Sequence, residues 1–148
     1  MKKAIFPGSF DPFTTGHYAL VKRALAFTDE IVIAIGVNIE KKMMFTVEER
    51  IENIRLIYNN NPRVQISVYE NLTADFAKEI NADYILRGVR NITDFEYEKN
   101  MADINRKLAG IETVILFSEP EYGYVSSNLV RELKKFDKDI TSLIPKTK

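Results

Sequence analysis

The segment Ile5-Phe6-Pro7-Gly8-Ser9-Phe10-Asp11-Pro12-Phe13-Thr14-Thr15-Gly16-His17 runs from apolar residues into a Gly/Pro-rich turn and delivers the only histidine of the chain onto a helix. Amide N–H groups in such a turn and in the first turn of a helix lack intrahelical acceptors, and the helix dipole adds positive potential beside them. Together they form an anion cradle. Pro7, Gly8 and Pro12 fix a tight path close to a ligand, Ser9 offers a hydroxyl, and the Thr14-Thr15-Gly16-His17 spacing sets an imidazole beside the cradle. These residues suit phosphoryl or nucleotidyl transfer.

Three other segments carry residues of the same kind. Glu40-Lys41-Lys42 lies in a loop where an ammonium facing a triphosphate would act as a point-charge clamp. In Arg87-Gly88-Val89-Arg90 the glycine permits close backbone approach and two guanidiniums flank it. Tyr122-Gly123-Tyr124-Val125-Ser126-Ser127-Asn128-Leu129-Val130-Arg131 leads aromatic residues into hydroxyls at a helix start. One serine there serves as an N-cap; a phosphate held by N–H groups, hydroxyls and Arg131 would account for the rest.

The elements that must position these segments follow from periodicity. Apolar or β-branched runs at 3–6, 31–37, 64–69, 84–86 and 113–117 predict five strands. Between and after them, helical spacing predicts helices over 17–27, 47–58, 73–80, 93–108 and 127–136. Thr46 with Glu49, and Thr93 with Glu96, stand at capping-box spacing. The alternation predicts an α/β fold, a doubly wound five-stranded parallel sheet with helices on both faces, forming one domain over residues 1–148. In such sheets ligands bind beyond the carboxyl ends of the strands, which is where all four segments fall.

Composition narrows the classes further. Lys plus Arg and Asp plus Glu both number 21, so the chain lacks the basic field that sequence-independent nucleic-acid binding requires, and no nucleic-acid partner is expected. The absence of cysteine removes disulfides, thiolate metal sites and cysteine nucleophiles at once. The longest apolar run, Ile31 to Val37, is far short of the roughly 20 residues of a membrane helix. Met1-Lys2-Lys3 leads into a strand rather than a signal-peptide core, so a soluble, cytoplasmic protein with no membrane partner is expected.

Gly8-Ser9-Phe10-Asp11-Pro12 with Thr14-Thr15-Gly16-His17, and Ser126-Ser127-Asn128-Leu129-Val130-Arg131, resemble the two signature motifs of the T/H-x-G-H nucleotidylyltransferases. With Lys41 to Thr46, Leu86 to Arg90 and Asp94 to Glu98 added, the chain resembles, over nearly its whole length, the bacterial enzymes that adenylylate 4'-phosphopantetheine. The resemblance implies a Rossmann-like nucleotidylyltransferase fold and transfer of an adenylyl group from ATP to 4'-phosphopantetheine, giving dephospho-coenzyme A and pyrophosphate. It places ATP on Ser9, Phe10, His17, Gly88, Val89, Arg90, Glu98 and the run Tyr122, Gly123, Tyr124, Val125, Ser126, Ser127, Asn128. It places the acceptor on Ser9, Lys41, Thr73 and Arg87, with His17, Lys41 and Arg90 in catalytic roles. It also implies Mg2+ entering with ATP, a homohexamer, and feedback binding of coenzyme A. Ser9 stands where the family commonly has threonine, and Asn128 where it often has Ser or Thr. The rival readings are a related transferase with another acceptor, such as nicotinate mononucleotide, and a nucleotide-binding module without catalysis.

The attacking group in such a reaction is a phosphate that is already anionic, so neither a general base nor a protein nucleophile is required. What the protein must supply is alignment of two polyanions and stabilisation of charge at the α-phosphate. His17 is the expected donor, in a protonation state the sequence leaves open. Lys41 is expected to hold the attacking phosphate, and Arg90 and the Ser126-Ser127 helix start the β- and γ-phosphates. Glu98 is expected to orient ligands rather than act as a base.

Overall fold

In the computed structural model, which describes residues 1–147, strands β1 (Lys3–Gly8), β2 (Glu30–Gly36), β3 (Val64–Tyr69), β4 (Tyr84–Val89) and β5 (Glu112–Phe117) form one parallel sheet in the order β3-β2-β1-β4-β5. Helices α1 (Thr15–Ala24), α2 (Val47–Tyr58), α3 (Thr73–Glu79) and α4 (Ile92–Ala109) make the crossovers, and α5 (Ser127–Lys135) follows β5 through a 3-10 turn at Pro120–Tyr122. The winding reverses between β1 and β4. The expected doubly wound fold is the one observed.

Period-two alternation sorts the sheet's side chains onto two faces. Ala4, Phe6, Ile31, Ile33, Ile35 and Leu86 pack against Leu20, Val21 and Ala24 of α1 and Ile54 and Ile57 of α2. Ile5, Ala34 and Ile85 point the other way, against Phe76 and Ala77 of α3. Each such isoleucine, buried in full, contributes about 1.5–3 kcal/mol. A smaller cluster of Val125, Val130 and Leu143 ties α5 to the chain that follows it.

Helix starts carry more of the site than the sequence indicates. The Thr46 hydroxyl accepts from the Glu49 amide and the Glu49 carboxylate from the Thr46 amide, as expected. Helix α4 differs: Asn91 is its cap, accepting from the Asp94 amide at 2.8 Å, and Thr93 lies inside the first turn. A short Asn side chain in extended backbone reaches the third amide as well as Thr does. Strands β1 and β4 run to Gly8 and Val89, beyond their predicted ends at 6 and 86, which carries the chemistry-bearing loops onto the sheet itself.

The seam between the two halves is short. β1 and β2 pair over six residues, from Lys3↔Glu30 to Gly8↔Ile35, whereas β1 meets β4 only at Ala4↔Tyr84 and Ile5↔Ile85. Past that point the strands fork. Gly88, on β4 beyond the fork, leaves the space a Cβ would take to the Leu20 side chain of α1. Gly88→Val is therefore expected to destabilise by about 1–3 kcal/mol through overpacking, read as a lower urea midpoint. Leu20→Ala in the same chain should recover part of that loss, because the two changes share one space.

Candidate active site

The turn after β1 is built around His17. The His17 Nδ1 accepts the Thr14 backbone N–H at 2.9 Å, while the Thr14 hydroxyl accepts the His17 amide, a capping box with histidine in the position usually filled by Glu or Gln. An amide can only donate, so Nδ1 carries no proton and the ring N–H sits on Nε2. Phe6, Phe10 and Phe13 surround the ring at centroid distances of 6.0, 5.1 and 5.2 Å. Burial in this collar, with the Arg87 and Arg90 guanidiniums adding to it, pushes the imidazole pKa down to about 3. His17 is a neutral donor.

A consequence for stability follows. The unfolded chain takes up the His17 proton near pH 6.5 and the folded one only near 3, so folding is favoured above pH 6.5 and that contribution is lost as pH falls towards 3. His17→Gln should flatten the stability profile across this window. Urea unfolding of the two proteins at matched pH values checks it.

His17 opens onto a cleft of ≈ 350 Å³ between the β1 turn, the end of β4 and the start of α5. Ser9, Phe10, Gly88, Val89, Arg90, Glu98, Tyr122, Val125, Ser126 and Ser127 line it with His17. Ser126 caps α5, its Oγ accepting the Leu129 amide at 3.0 Å, which leaves its O–H free to donate. Arg90 leans on Asp94 at 3.3 Å. Arg131, also in the wall, donates to the Asp11 carbonyl at 2.8 Å.

A second cleft of ≈ 410 Å³ lies on the other side of the fork, and all four residues expected for an acceptor, Ser9, Lys41, Thr73 and Arg87, line it. Its far end is formed by Tyr97, Met101 and Asn105 of α4 with Ile85 and Thr113 of the sheet. The Thr73 hydroxyl bonds Tyr69 at 2.8 Å, and the Thr113 hydroxyl is buried without a partner. Of the two adjacent lysines only Lys41 reaches the clefts, and it lines both.

Between the clefts stands a paired charge. Arg87 Nε and Nη2 donate to the two Glu98 oxygens at 2.8 and 2.7 Å, and Nη1 donates to the Pro7 carbonyl at 2.6 Å across the fork. Three of five guanidinium N–H groups are thus committed and two remain. Glu98, expected to orient ligands, lines both clefts with its two oxygens held by Arg87.

Several expected ligand residues are placed differently. Phe10 lines the cleft with its ring buried against His17; its φ of 50° lies in the left-handed region, and the ring packs where a Gly8 Cβ would stand. The Ser127 hydroxyl donates to the Pro12 carbonyl at 2.7 Å, leaving its amide as the group at the helix start. Gly123, Tyr124 and Asn128 lie outside the cleft walls, Asn128 accepting from Arg131 at 3.3 Å. Two residues of the site act through contacts that the sequence pattern does not indicate. Arg50 is buried and donates to the Ser9 carbonyl at 2.7 Å, and Asp11 is buried with its carboxylate on the amides of Met44 and Phe45. Among the described residues no cluster of three His, Asp or Glu side chains offers a metal cage, and no helix is long and apolar enough to cross a membrane.

The fork, the phosphate-turn segment and His17 lie together at the carboxyl edge of a doubly wound parallel sheet, and a family model described as cytidylyltransferase-like matches residues 5–133: the chain belongs to that family. The fold is shared with a bifunctional NMN adenylyltransferase/ADP ribose pyrophosphatase of Francisella tularensis, solved with AMP and a manganese ion (TM-score 0.68, 15% identity, covering 97% of this chain and 44% of that one). Sequence relatives narrow the class. The chain is 57% identical over 145 residues to the phosphopantetheine adenylyltransferase of Bacteroides thetaiotaomicron, covering 98% of this chain and 96% of the relative. It is 56% identical over 146 residues to that of Bacteroides fragilis, covering 99% and 97%. Within the wider family, it belongs with the phosphopantetheine adenylyltransferases.

Proposed function

We propose that this protein transfers the adenylyl group of ATP to 4'-phosphopantetheine. An acceptor phosphate oxygen attacks the α-phosphorus of ATP, the bond from that phosphorus to the bridging oxygen breaks, and pyrophosphate leaves with the electron pair; dephospho-coenzyme A is the other product. The observation that carries the reading is the pair of clefts sharing Ser9, Lys41, Arg87 and Glu98 as a common wall, since two polyanions must meet there in line.

His17 Nε2–H donates to a non-bridging α-phosphate oxygen as charge builds on it. Being neutral, it needs no proton transfer to do so. Arg90, Arg131, the Ser126 hydroxyl and the amides at the start of α5 face the β- and γ-phosphates; Lys41 and the two free Arg87 N–H groups face the attacking phosphate. Mg2+ enters with ATP as part of the substrate, held by phosphate oxygens and water. The charge of Arg87 is balanced by Glu98.

The same reading extends to the setting: a cytoplasmic homohexamer that coenzyme A inhibits by occupying the acceptor cleft. Exposed Ile92, Tyr97 and Leu108 on α4 are apolar surface suited to burial between subunits. Pyrophosphate release is the test. The protein with ATP and Mg2+ should release it with 4'-phosphopantetheine and not with nicotinate mononucleotide; release with the second acceptor alone would assign a different substrate, and release with neither a binding module.

A further inference from the structure

The loop between β2 and α2 carries Lys41 into both clefts, yet its own hydrogen bonds are local. Asn38 accepts the Glu40 amide on its side chain at 3.0 Å and the Lys41 amide on its carbonyl at 3.1 Å. Among the described residues, the hydrogen bonds that tie residues 38–45 to the phosphate turn are two, from the Met44 and Phe45 amides to Asp11 Oδ2 and Oδ1, each at 2.8 Å. Asp11 is 1% exposed. A carboxylate so buried needs compensation, and it has those two amides together with Arg131 Nη1 at 4.0 Å, a nitrogen that also donates to the Asp11 carbonyl.

We propose that Asp11 is a positioning residue for the reaction, its carboxylate anchoring Met44 and Phe45 so that Lys41, three residues earlier, is held against the phosphate turn. One side chain thereby joins the two substrate halves. Its carbonyl, through Arg131, takes part in the nucleotide cleft, and its carboxylate sets the lysine of the acceptor cleft. Arg50, which donates to the Ser9 carbonyl at 2.7 Å from α2, braces the same turn from the helix that the loop leads into. Asparagine at position 11 keeps the size but presents one acceptor oxygen to two donors and turns its own NH2 against one of them.

The inference rests on Lys41 engaging the acceptor phosphate, and a double-mutant cycle separates the two. Asp11→Asn should raise the KM for 4'-phosphopantetheine about tenfold, with a much smaller change in the KM for ATP, because misplacing a positioned group by about 1 Å has effects of that order or more. In a Lys41→Ala background the same change should add almost nothing. An Asp11→Asn penalty of equal size in both backgrounds overturns the proposal while leaving Lys41 in place. A Lys41→Ala protein with unaltered acceptor kinetics instead sinks the role of Lys41, and the proposal with it. Should Asp11→Asn not fold, residue-resolved hydrogen exchange on the unaltered protein decides. The Met44 and Phe45 amides should be protected well above those of Lys42 and Met43, and exchange as fast as these neighbours overturns the anchor.

Discussion

Replacing His17 by alanine is expected to lower turnover by about 100 to 1000-fold, the usual cost of removing one preorganised donor to developing charge. The donor is preorganised in an unusual degree: the Thr14 amide dictates the tautomer, three phenylalanines fix the ring, and neutrality spares it any proton step. Because the hydrogen bond tightens as charge moves onto the α-phosphate, the loss should fall on kcat and leave ATP affinity nearly unchanged. His17→Gln, whose amide N–H2 can reach the Nε2 position, should recover part of the rate. Steady-state pyrophosphate release with ATP titration calorimetry on the same proteins checks both halves. A His17→Ala protein within a few-fold of normal turnover removes the histidine from the reaction.

Glu98→Ala should damage both stability and function. The carboxylate is nearly buried, 8% exposed as a side chain, and among the described residues is the only counter-charge that Arg87 has at hydrogen-bond distance. Deleting it leaves a guanidinium inside the fork with one remaining partner, the Pro7 carbonyl. Breaking a buried pair on one side costs about 3–5 kcal/mol, and the lower end applies because Arg87 keeps some contact with water. For a chain of this size that lowers the melting temperature by roughly 10 °C. The uncompensated cation should also hold both polyanions more tightly, so KM values fall along with kcat. Glu98→Gln, able to accept one of the two N–H groups, should sit between. Thermal unfolding with and without ATP, beside kinetics, distinguishes this from simple loss of a ligand.

How far the sequence speaks depends on the distance over which a residue acts. The strands, the helix alternation and the Thr46–Glu49 cap rest on near neighbours and are legible from period and spacing. So is the gathering of four loops at one sheet edge, because a parallel sheet leaves its βα loops nowhere else. Contacts across the chain are not legible. The two loops joined by Asp11 are 33 residues apart, the Glu98 carboxylate meets Arg87 over 11, and Ser127 reaches Pro12 over 115. Glu98 and Ser127 look like ligand residues when only their type and loop are known. Chemical type misleads locally as well. Histidine in a capping box escapes a pattern written for Glu and Gln, and the Gly88 vacancy, which suggests room for a ligand, is filled by Leu20.

The short seam between β1 and β4 gives the sheet a mechanical property. With ladder pairing confined to Ala4↔Tyr84 and Ile5↔Ile85, the plate of β3, β2 and β1 and the plate of β4 and β5 share a hinge line at one end only. Towards the other end Arg87 of β4 donates to the Pro7 carbonyl of β1, a side-chain hydrogen bond across the gap. Both clefts take their walls from the two plates, Pro7 and Gly8 from one and Arg87 from the other, so a change in the angle between the plates would reach both clefts. The sheet is thus continuous along β2, with six-residue pairing on both sides, and open where the two clefts adjoin.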